Sequence, residues 1–195
     1  MGLLRIILVS TNLHKRQEIQ DMLPPDSGIT IEIPSQIPDI DETGLSFEEN
    51  AQIKALALAD RYEKGVYMMA EDSGIEVMAL DGRPGIYSAR YGGQGCSSKD
   101  QCLKLLGELV GVSDRRARYY SAIALYPVGG DLKLFSGTVE GQISQTYEGE
   151  NGFGYDPIFI PTGYQDTFGV LEPAIKLSLS HRRHALQKVI EWFLG

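Results

Sequence analysis

The chain has 195 residues, 43% hydrophobic and 23% charged, which is ordinary globular usage and excludes a disordered tail, a fibrous repeat or a coiled coil. That length reads as one domain, or one domain in two lobes, with a core that needs no staples. Lys and Arg number 18 against 26 Asp and Glu, a formal net charge of −8. Such a chain is a poor non-specific binder of nucleic acid or anionic membrane, but a few placed cations and a metal can still hold a small anion.

Two cysteines, Cys96 and Cys102, form no disulfide framework and no metal-type spacing with His, so the cytosol is the default compartment. Met1–Val9 lacks a basic leader and a small-residue cleavage site, and reads as a strand rather than a signal peptide. No apolar stretch reaches the ~18 residues a membrane span needs. No repeat and no low-complexity segment is evident.

Leu3–Val9 is rich in Leu, Ile and Val and suits a buried strand. The polar turn Ser10–Lys15 leads to a helix in which Ile19, Met22 and Leu23 recur until Pro24-Pro25 stops it. Residues 24–45 are irregular, with a short strand at Ile29–Ile33. Ser46 and Glu49 predict a capping box. The helix it opens carries Phe47, Ala51, Ala55, Leu58, Ala59 and Tyr62 on one face and ends at Gly65. Val66–Ala70 is a strand that ends in Glu71-Asp72-Ser73-Gly74, and Ile75, Val77 and Ala79 alternate as a further strand. Residues 81–96 are a long glycine-rich loop. Ser98 and Gln101 predict a capped helix burying Cys102, Leu105, Leu106 and Leu109. Tyr119–Val128 and Leu132–Gly141 flank Gly129-Gly130-Asp131 as a hairpin. Gly152–Pro157 leads into Ile158-Phe159-Ile160, and a last helix from near Ser180 buries Ala185, Leu186, Val189, Ile190 and Phe193. The pattern predicts an α/β fold with a mixed sheet.

Four segments are candidates for chemistry. At Ser10–Lys15, a helix N-terminus with short polar side chains and a lysine can hold a phosphate tail, or be an ordinary capped helix. At Glu71–Gly74, neighbouring strand residues face opposite sides, so one carboxylate can bind a hard cation while the other orients it or supports the fold. The plainer reading is an acidic turn. Asp41-Glu42 and Glu48-Glu49 are further acidic pairs, each readable as a solvated surface. At Gly152–Pro157, Phe153 and Tyr155 offer flat faces for a base and Asp156 an acceptor, or else the aromatics are core. At Ser180–Arg183, His181 and Arg182 can donate to a keto oxygen or a phosphate, or form a charged first turn. No Gly-x-Ser-x-Gly elbow supports a serine hydrolase, and Cys102 looks like core rather than a nucleophile.

Together and in this order, these segments resemble the non-canonical purine nucleoside triphosphate pyrophosphatases, the inosine/xanthosine triphosphatase or Ham1-like family. The matching stretches are Ser-Thr-Asn-Leu-His-Lys (10–15), Glu-Thr-Gly-Leu-Ser-Phe-Glu-Glu-Asn-Ala (42–51), Glu-Asp-Ser-Gly (71–74), Pro-Gly-Ile-Tyr-Ser-Ala-Arg-Tyr (84–91), Gly-Phe-Gly-Tyr-Asp-Pro-Ile-Phe (152–159) and Ser-His-Arg (180–182). The resemblance implies an elongated mixed sheet with two lobes around a central cleft, a homodimer, and Mg2+-dependent hydrolysis of ITP, dITP or XTP to the monophosphate and pyrophosphate. It implies a phosphate-binding loop at Ser10, Thr11, Asn12, Leu13, His14 and Lys15, and further substrate contacts at Lys54, Ser73 and Lys176. Asp72 corresponds to the proton acceptor and a metal ligand, and Glu42, with Asp41 adjacent, to a second ligand. Phe153, Gly154, Tyr155 and Asp156 correspond to the base-binding segment, and His181 and Arg182 to the pair that senses the purine 6-keto group. Thr11 stands where many members have glycine and Glu71 where many have aspartate. Leu171–Leu179 is a less typical approach to Ser-His-Arg. A Maf-type pyrophosphatase for modified nucleotides and a non-catalytic nucleotide sensor are the alternatives.

Overall fold

The first strand is set by three consecutive apolar residues. In the computed structural model, which describes residues 4–93 and 95–194, β1 (Leu4–Leu8) buries Ile6, Ile7 and Leu8 almost completely. Consecutive burial requires cover on both faces, the situation of a parallel strand. β1 does pair in parallel with both neighbours, β2 (Ile29–Glu32) and β3 (Tyr67–Val77). Leu3, expected at its start, lies outside the described residues. Arg5 interrupts the apolar run, turning outward to pair with Glu32 on the adjacent strand.

α1 (Leu13–Met22) follows β1 and buries Ile19 and Met22 before the two prolines. α2 (Phe47–Leu56) opens at Ser46, whose side chain accepts from the backbone N–H of Glu49. The expected capping box is only half formed, because the Glu49 carboxylate reaches back to the Leu45 N–H instead of Ser46. The α-helix also stops at Leu56, short of Gly65. Leu58 leaves helical geometry, a 3-10 turn covers Ala59–Arg61, and Leu58 nonetheless stays fully buried.

The largest difference from the sequence reading is at Glu71–Gly74. It is no turn: β3 runs unbroken through it for 11 residues. After a loop in which Gly85–Arg90 is a 3-10 turn, α3 (Ser98–Glu108) begins one residue earlier than expected, with Ser97 and Asp100 forming the reciprocal cap. Gln94 lies outside the described residues. β4 (Arg116–Pro127) and β5 (Lys133–Ile143) are neighbours joined by a short connection, the expected hairpin. β6 (Phe159–Pro161) pairs antiparallel with β5. α4 (Pro173–Leu179) was not anticipated. Its seven residues are too few to show a period, although Pro173 at its first position is a start signal. α5 (His181–Leu194) closes the chain.

The six strands form one mixed sheet in the order β2-β1-β3-β4-β5-β6. The chain divides into two compact units. The first holds residues 1–72, 121–137 and 182–195, and the second 73–120 and 138–181. The first unit buries residues of β1, α1, α2 and α5, including Ile7, Ile19, Ala51, Ala55, Ala185 and Val189. The second has its own core, in which Ile75, Leu105, Tyr119, Ile158, Phe159 and Phe168 pack with Cys102. Among the described residues, no helix is long and apolar enough to cross a membrane.

Candidate active site

Among the described residues two clusters of buried charge stand out, one in each unit. In the first unit Asp72 leaves β3 on one face and Glu71 on the other, as strand alternation requires. The Lys54 ammonium, from α2, donates to Asp72 Oδ1 at 2.7 Å and to Glu42 Oε1 at 2.8 Å. Asp72 Oδ2 accepts from Asn50 Nδ2 at 3.3 Å. Burial raises the Asp72 carboxyl above its ordinary range, while the charges of Lys54 and Lys15 pull it back down. Burial opposes the charge on Lys54, yet Asp72 and Glu42 more than offset it and leave the ammonium above its ordinary value. Of the acidic pair at 41–42, the structure brings Glu42 to Asp72 and leaves Asp41 exposed. Glu48 and Glu49 stay on the α2 N-terminal turn, the helix end that favours negative charge.

Glu71 engages a different set. Its carboxylate meets Lys15 Nζ at 3.0 Å, Ser121 Oγ at 2.9 Å and Arg182 Nη2 at 3.0 Å. Arg182 also pairs with Glu18 on α1 and is buried to 1% exposure. Burial works against its charge, but Glu71 and Glu18 keep it protonated. Arg182 is thus held between two carboxylates and is not a solvated first-turn charge. The two acids on β3 divide the work as the alternation predicts, Asp72 facing Lys54 and Glu42, Glu71 tying α1 and α5 to the sheet.

The loop at 10–15 is a helix start. Asn12 caps α1 by accepting from the Lys15 N–H at 3.1 Å, and Ser10 Oγ accepts from the Asn12 N–H at 3.3 Å. Thr11, Asn12, Leu13 and His14 are exposed, and Lys15 is half-buried against Glu71.

In the second unit the cluster centres on Asp156, only 1% exposed. Its Oδ2 accepts from Lys176 Nζ at 2.6 Å and from the Phe153 N–H at 2.7 Å, and its Oδ1 from Tyr119 Oη at 3.2 Å. The Lys176 ammonium also sits 4.2 Å from the centre of the half-buried Phe153 ring. Gly152, at φ +73°, permits this closure: a Cβ there would lie 2.1 Å from Asp156 Oδ2. Asp156 is therefore an organiser of Phe153 and Lys176. Tyr155 departs from the flat-face expectation. Its ring is core, and its hydroxyl donates to the Ser88 carbonyl at 2.8 Å. Gly154, at φ +62°, turns the chain between these two aromatics. His181 stacks on Tyr119 with the planes 8° apart. Ser73 is half-buried where β3 enters this unit.

Sequence reasoning missed Asn50, Glu18, Ser121 and Tyr119. Asn50 carried a signal, since a polar residue beside Ala51 and four before Lys54 falls at the edge of the buried stripe. Glu18 and Ser121 carried none, because their partners are distant in the chain. Among the described residues no group of three or more His, Cys, Asp or Glu is arranged to hold a metal by itself. Glu42 and Asp72 supply two hard oxygen donors converging on one ammonium. That suits Mg2+, which takes one or two carboxylates and completes its shell with phosphate and water.

The model of the Ham1 family matches residues 6–192. A dITP/XTP pyrophosphatase of Oceanobacillus iheyensis is 39% identical over 193 residues, covering 96% of this chain and 97% of that protein. Among solved structures, a HAM1 protein from Coxiella burnetii superposes with a TM-score of 0.88 at 36% identity, covering 98% of both chains. The Staphylococcus aureus Ham1 protein does so with a TM-score of 0.87 at 38% identity, again over 98% of both.

Proposed function

The chain belongs to the Ham1 family, and from that premise we propose that it hydrolyses non-canonical purine nucleoside triphosphates, ITP, dITP and XTP, to the monophosphate and pyrophosphate. The observation that carries this reading is the Lys54 ammonium bridging Glu42 and Asp72: a cation and two acids in one cluster support the handling of a triphosphate and its counter-ion.

In the reaction, water attacks the α-phosphorus, the bond to the α–β bridging oxygen breaks, and pyrophosphate leaves. Phosphoryl transfer needs positioning and charge stabilisation above all. Lys15 and Lys54 neutralise phosphate oxygens, and the α1 N-terminus adds its partial positive charge. Asp72 accepts the proton of the attacking water; burial raises its carboxyl above the ordinary range, against the pull of the Lys54 and Lys15 charges. Glu42 and Asp72 would hold Mg2+, which supplies charge screening of the phosphates.

The second unit's cluster reads the base. Phe153 offers the ring face, Lys176 is aligned over it by Asp156, and His181 is oriented by its stack on Tyr119. His181 and Arg182 donate to a 6-keto oxygen. Adenine, with an amino group there, would oppose donor to donor. Ser10, Thr11, Asn12, Leu13 and His14 complete the phosphate loop, and Ser73, Gly154 and Tyr155 shape the remaining contacts.

The chain works as a single domain of two lobes, as a homodimer in the cytoplasm, on free nucleotides and not on nucleic acid or membrane. The −8 charge supports the last point. The test is pyrophosphate and orthophosphate release from inosine, xanthosine, guanosine, adenosine and methylated pyrimidine triphosphates, with and without Mg2+. Pyrophosphate from the inosine and xanthosine forms alone is expected. Preference for methylated pyrimidines would support the Maf-type reading instead, and binding without release a sensor.

A further inference from the structure

Asn50 is wholly buried and polar, and both ends of its amide are used. Nδ2 donates to Asp72 Oδ2 at 3.3 Å, and Oδ1 accepts from the Gly44 N–H at 2.9 Å. A buried amide is tolerated when both ends are bonded, so this side chain is fixed by the partners it fixes. Its partners matter for what they carry. One is the central carboxylate, and the other is backbone two residues beyond Glu42.

Asn50 and Lys54 are four residues apart on α2 and so lie on one face. Lys54 holds the carboxylates of Glu42 and Asp72, and Asn50 holds Asp72 and the main chain next to Glu42. The adjacent amide is tied down as well, the Leu45 N–H donating to Glu49 Oε2 at 2.6 Å. The segment 42–45 is thus clamped to α2 by two successive N–H groups. Gly44 makes the close approach feasible. A Cβ there would lie 2.7 Å from Asn50 Oδ1 and 2.8 Å from the Asn50 backbone nitrogen, and backbone cannot yield cheaply.

We infer that Asn50 is a positioning residue for the hydrolysis: one amide sets Asp72 and the segment bearing Glu42 at the spacing at which both carboxylates serve a single divalent cation. The inference rests on the proposed pyrophosphohydrolase reading. Asn50 bonds to Asp72 and to the main chain beside Glu42, and so acts through the two acids, as outer-shell partners of metal ligands do.

Two variants test it by different routes. Asn50→Leu keeps the branched shape and removes both hydrogen bonds. Gly44→Ala leaves the amide in place and displaces the segment. Both are expected to raise the Mg2+ concentration for half-maximal pyrophosphate release by about 10–100-fold. Mn2+ alone, titrated into the nucleotide-free protein and followed by electron paramagnetic resonance, is expected to bind more weakly by a similar factor. The KM for inosine triphosphate at saturating Mg2+ is expected to stay within about threefold, since the phosphate and base contacts are untouched. A merely structural role would lower the melting temperature and leave the metal affinity of the folded fraction unchanged, and that result in either variant overturns the inference. Asp72→Asn, run alongside, separates the two readings. Full turnover in it overturns the site assignment itself. Lost turnover in it, with wild-type Mn2+ affinity in Asn50→Leu and Gly44→Ala, overturns only the role of Asn50.

Discussion

Asp156 offers the sharpest test of the second unit's cluster. Asp156→Ala removes the acceptor of three hydrogen bonds and leaves the ammonium of Lys176, only 6% exposed, without its carboxylate. Removing one partner of a buried ion pair costs about 3–5 kcal/mol, and losing the acceptor for the Phe153 N–H adds about 1 kcal/mol. For a chain of this size each kcal/mol moves the melting temperature by about 2–4 °C, so a fall on the order of 10 °C is expected. The carboxylate's contribution is separable from the ammonium's burial. Adding Lys176→Met to Asp156→Ala removes the stranded charge while filling most of the volume, so the double variant should recover a substantial part of the loss. The assay is calorimetric unfolding of wild type, both single variants and the double variant at pH 7, read as a double-mutant cycle. A fall below about 3 °C for Asp156→Ala, or strictly additive single effects, would refute the argument that the pair is a buried, mutually dependent unit.

Asp72→Asn is expected to keep the fold and nucleotide binding and to lose turnover by about 10²-fold or more, the scale of a positioned general base; pyrophosphate release near the wild-type rate would sink Asp72 as proton acceptor. Arg182→Ala should cut kcat/KM for inosine triphosphate more than for adenosine triphosphate, and should also lower stability because Glu71 stays buried without it; an equal loss for both nucleotides would point to a purely structural guanidinium. Burial pushes the Cys102 thiol from 9.0 up to about 12, so it should resist alkylation at pH 8 in the folded protein and react once unfolded. The same shift has a stability sign: below pH 9 both states hold the proton and nothing is lost, whereas above it only the unfolded chain ionises, so stability falls as pH rises toward 12, by about 1.4 kcal/mol per pH unit. Denaturant titrations of wild type and Cys102→Ala at pH 8 and pH 10.5 check this, and an identical decline in both would contradict it.

Much of the fold was legible because its signals are local. The β1 run, the serine caps of α2 and α3, and the Gly-Gly-Asp hairpin each depend on residues within a few positions of one another. Within the candidate site, the segments that carry its charge were legible, but how they are arranged was less so. Glu71–Gly74 read as a turn because two adjacent acids rarely continue a buried strand. Here the strand continues because the charges are met by Lys15, Lys54, Ser121 and Arg182, which lie 18 to 111 residues from the acids they meet and leave no trace in any short window. Tyr155 failed as a base platform for the converse reason. Alternating Gly-aromatic spacing looks alike whether a ring faces a ligand or a core, and only the Ser88 carbonyl, 67 residues upstream, decides between them.

The distribution of charge in the first cluster also argues for why a cation belongs to the reaction. Lys54 is a single positive charge set against two carboxylates, and the Lys15 charge is already met by Glu71. A bare triphosphate arriving there would meet net negative charge across a partly buried surface, where screening by water is weak. If Glu42 and Asp72 hold a divalent cation, as proposed, its charge would reverse that balance and free the Lys54 ammonium for phosphate oxygens. On that proposal the two acids that would repel a bare triphosphate would favour its metal complex. Nucleotide affinity should therefore collapse on chelation of Mg2+, and collapse less in Asp72→Asn, where one of the opposing charges has been removed.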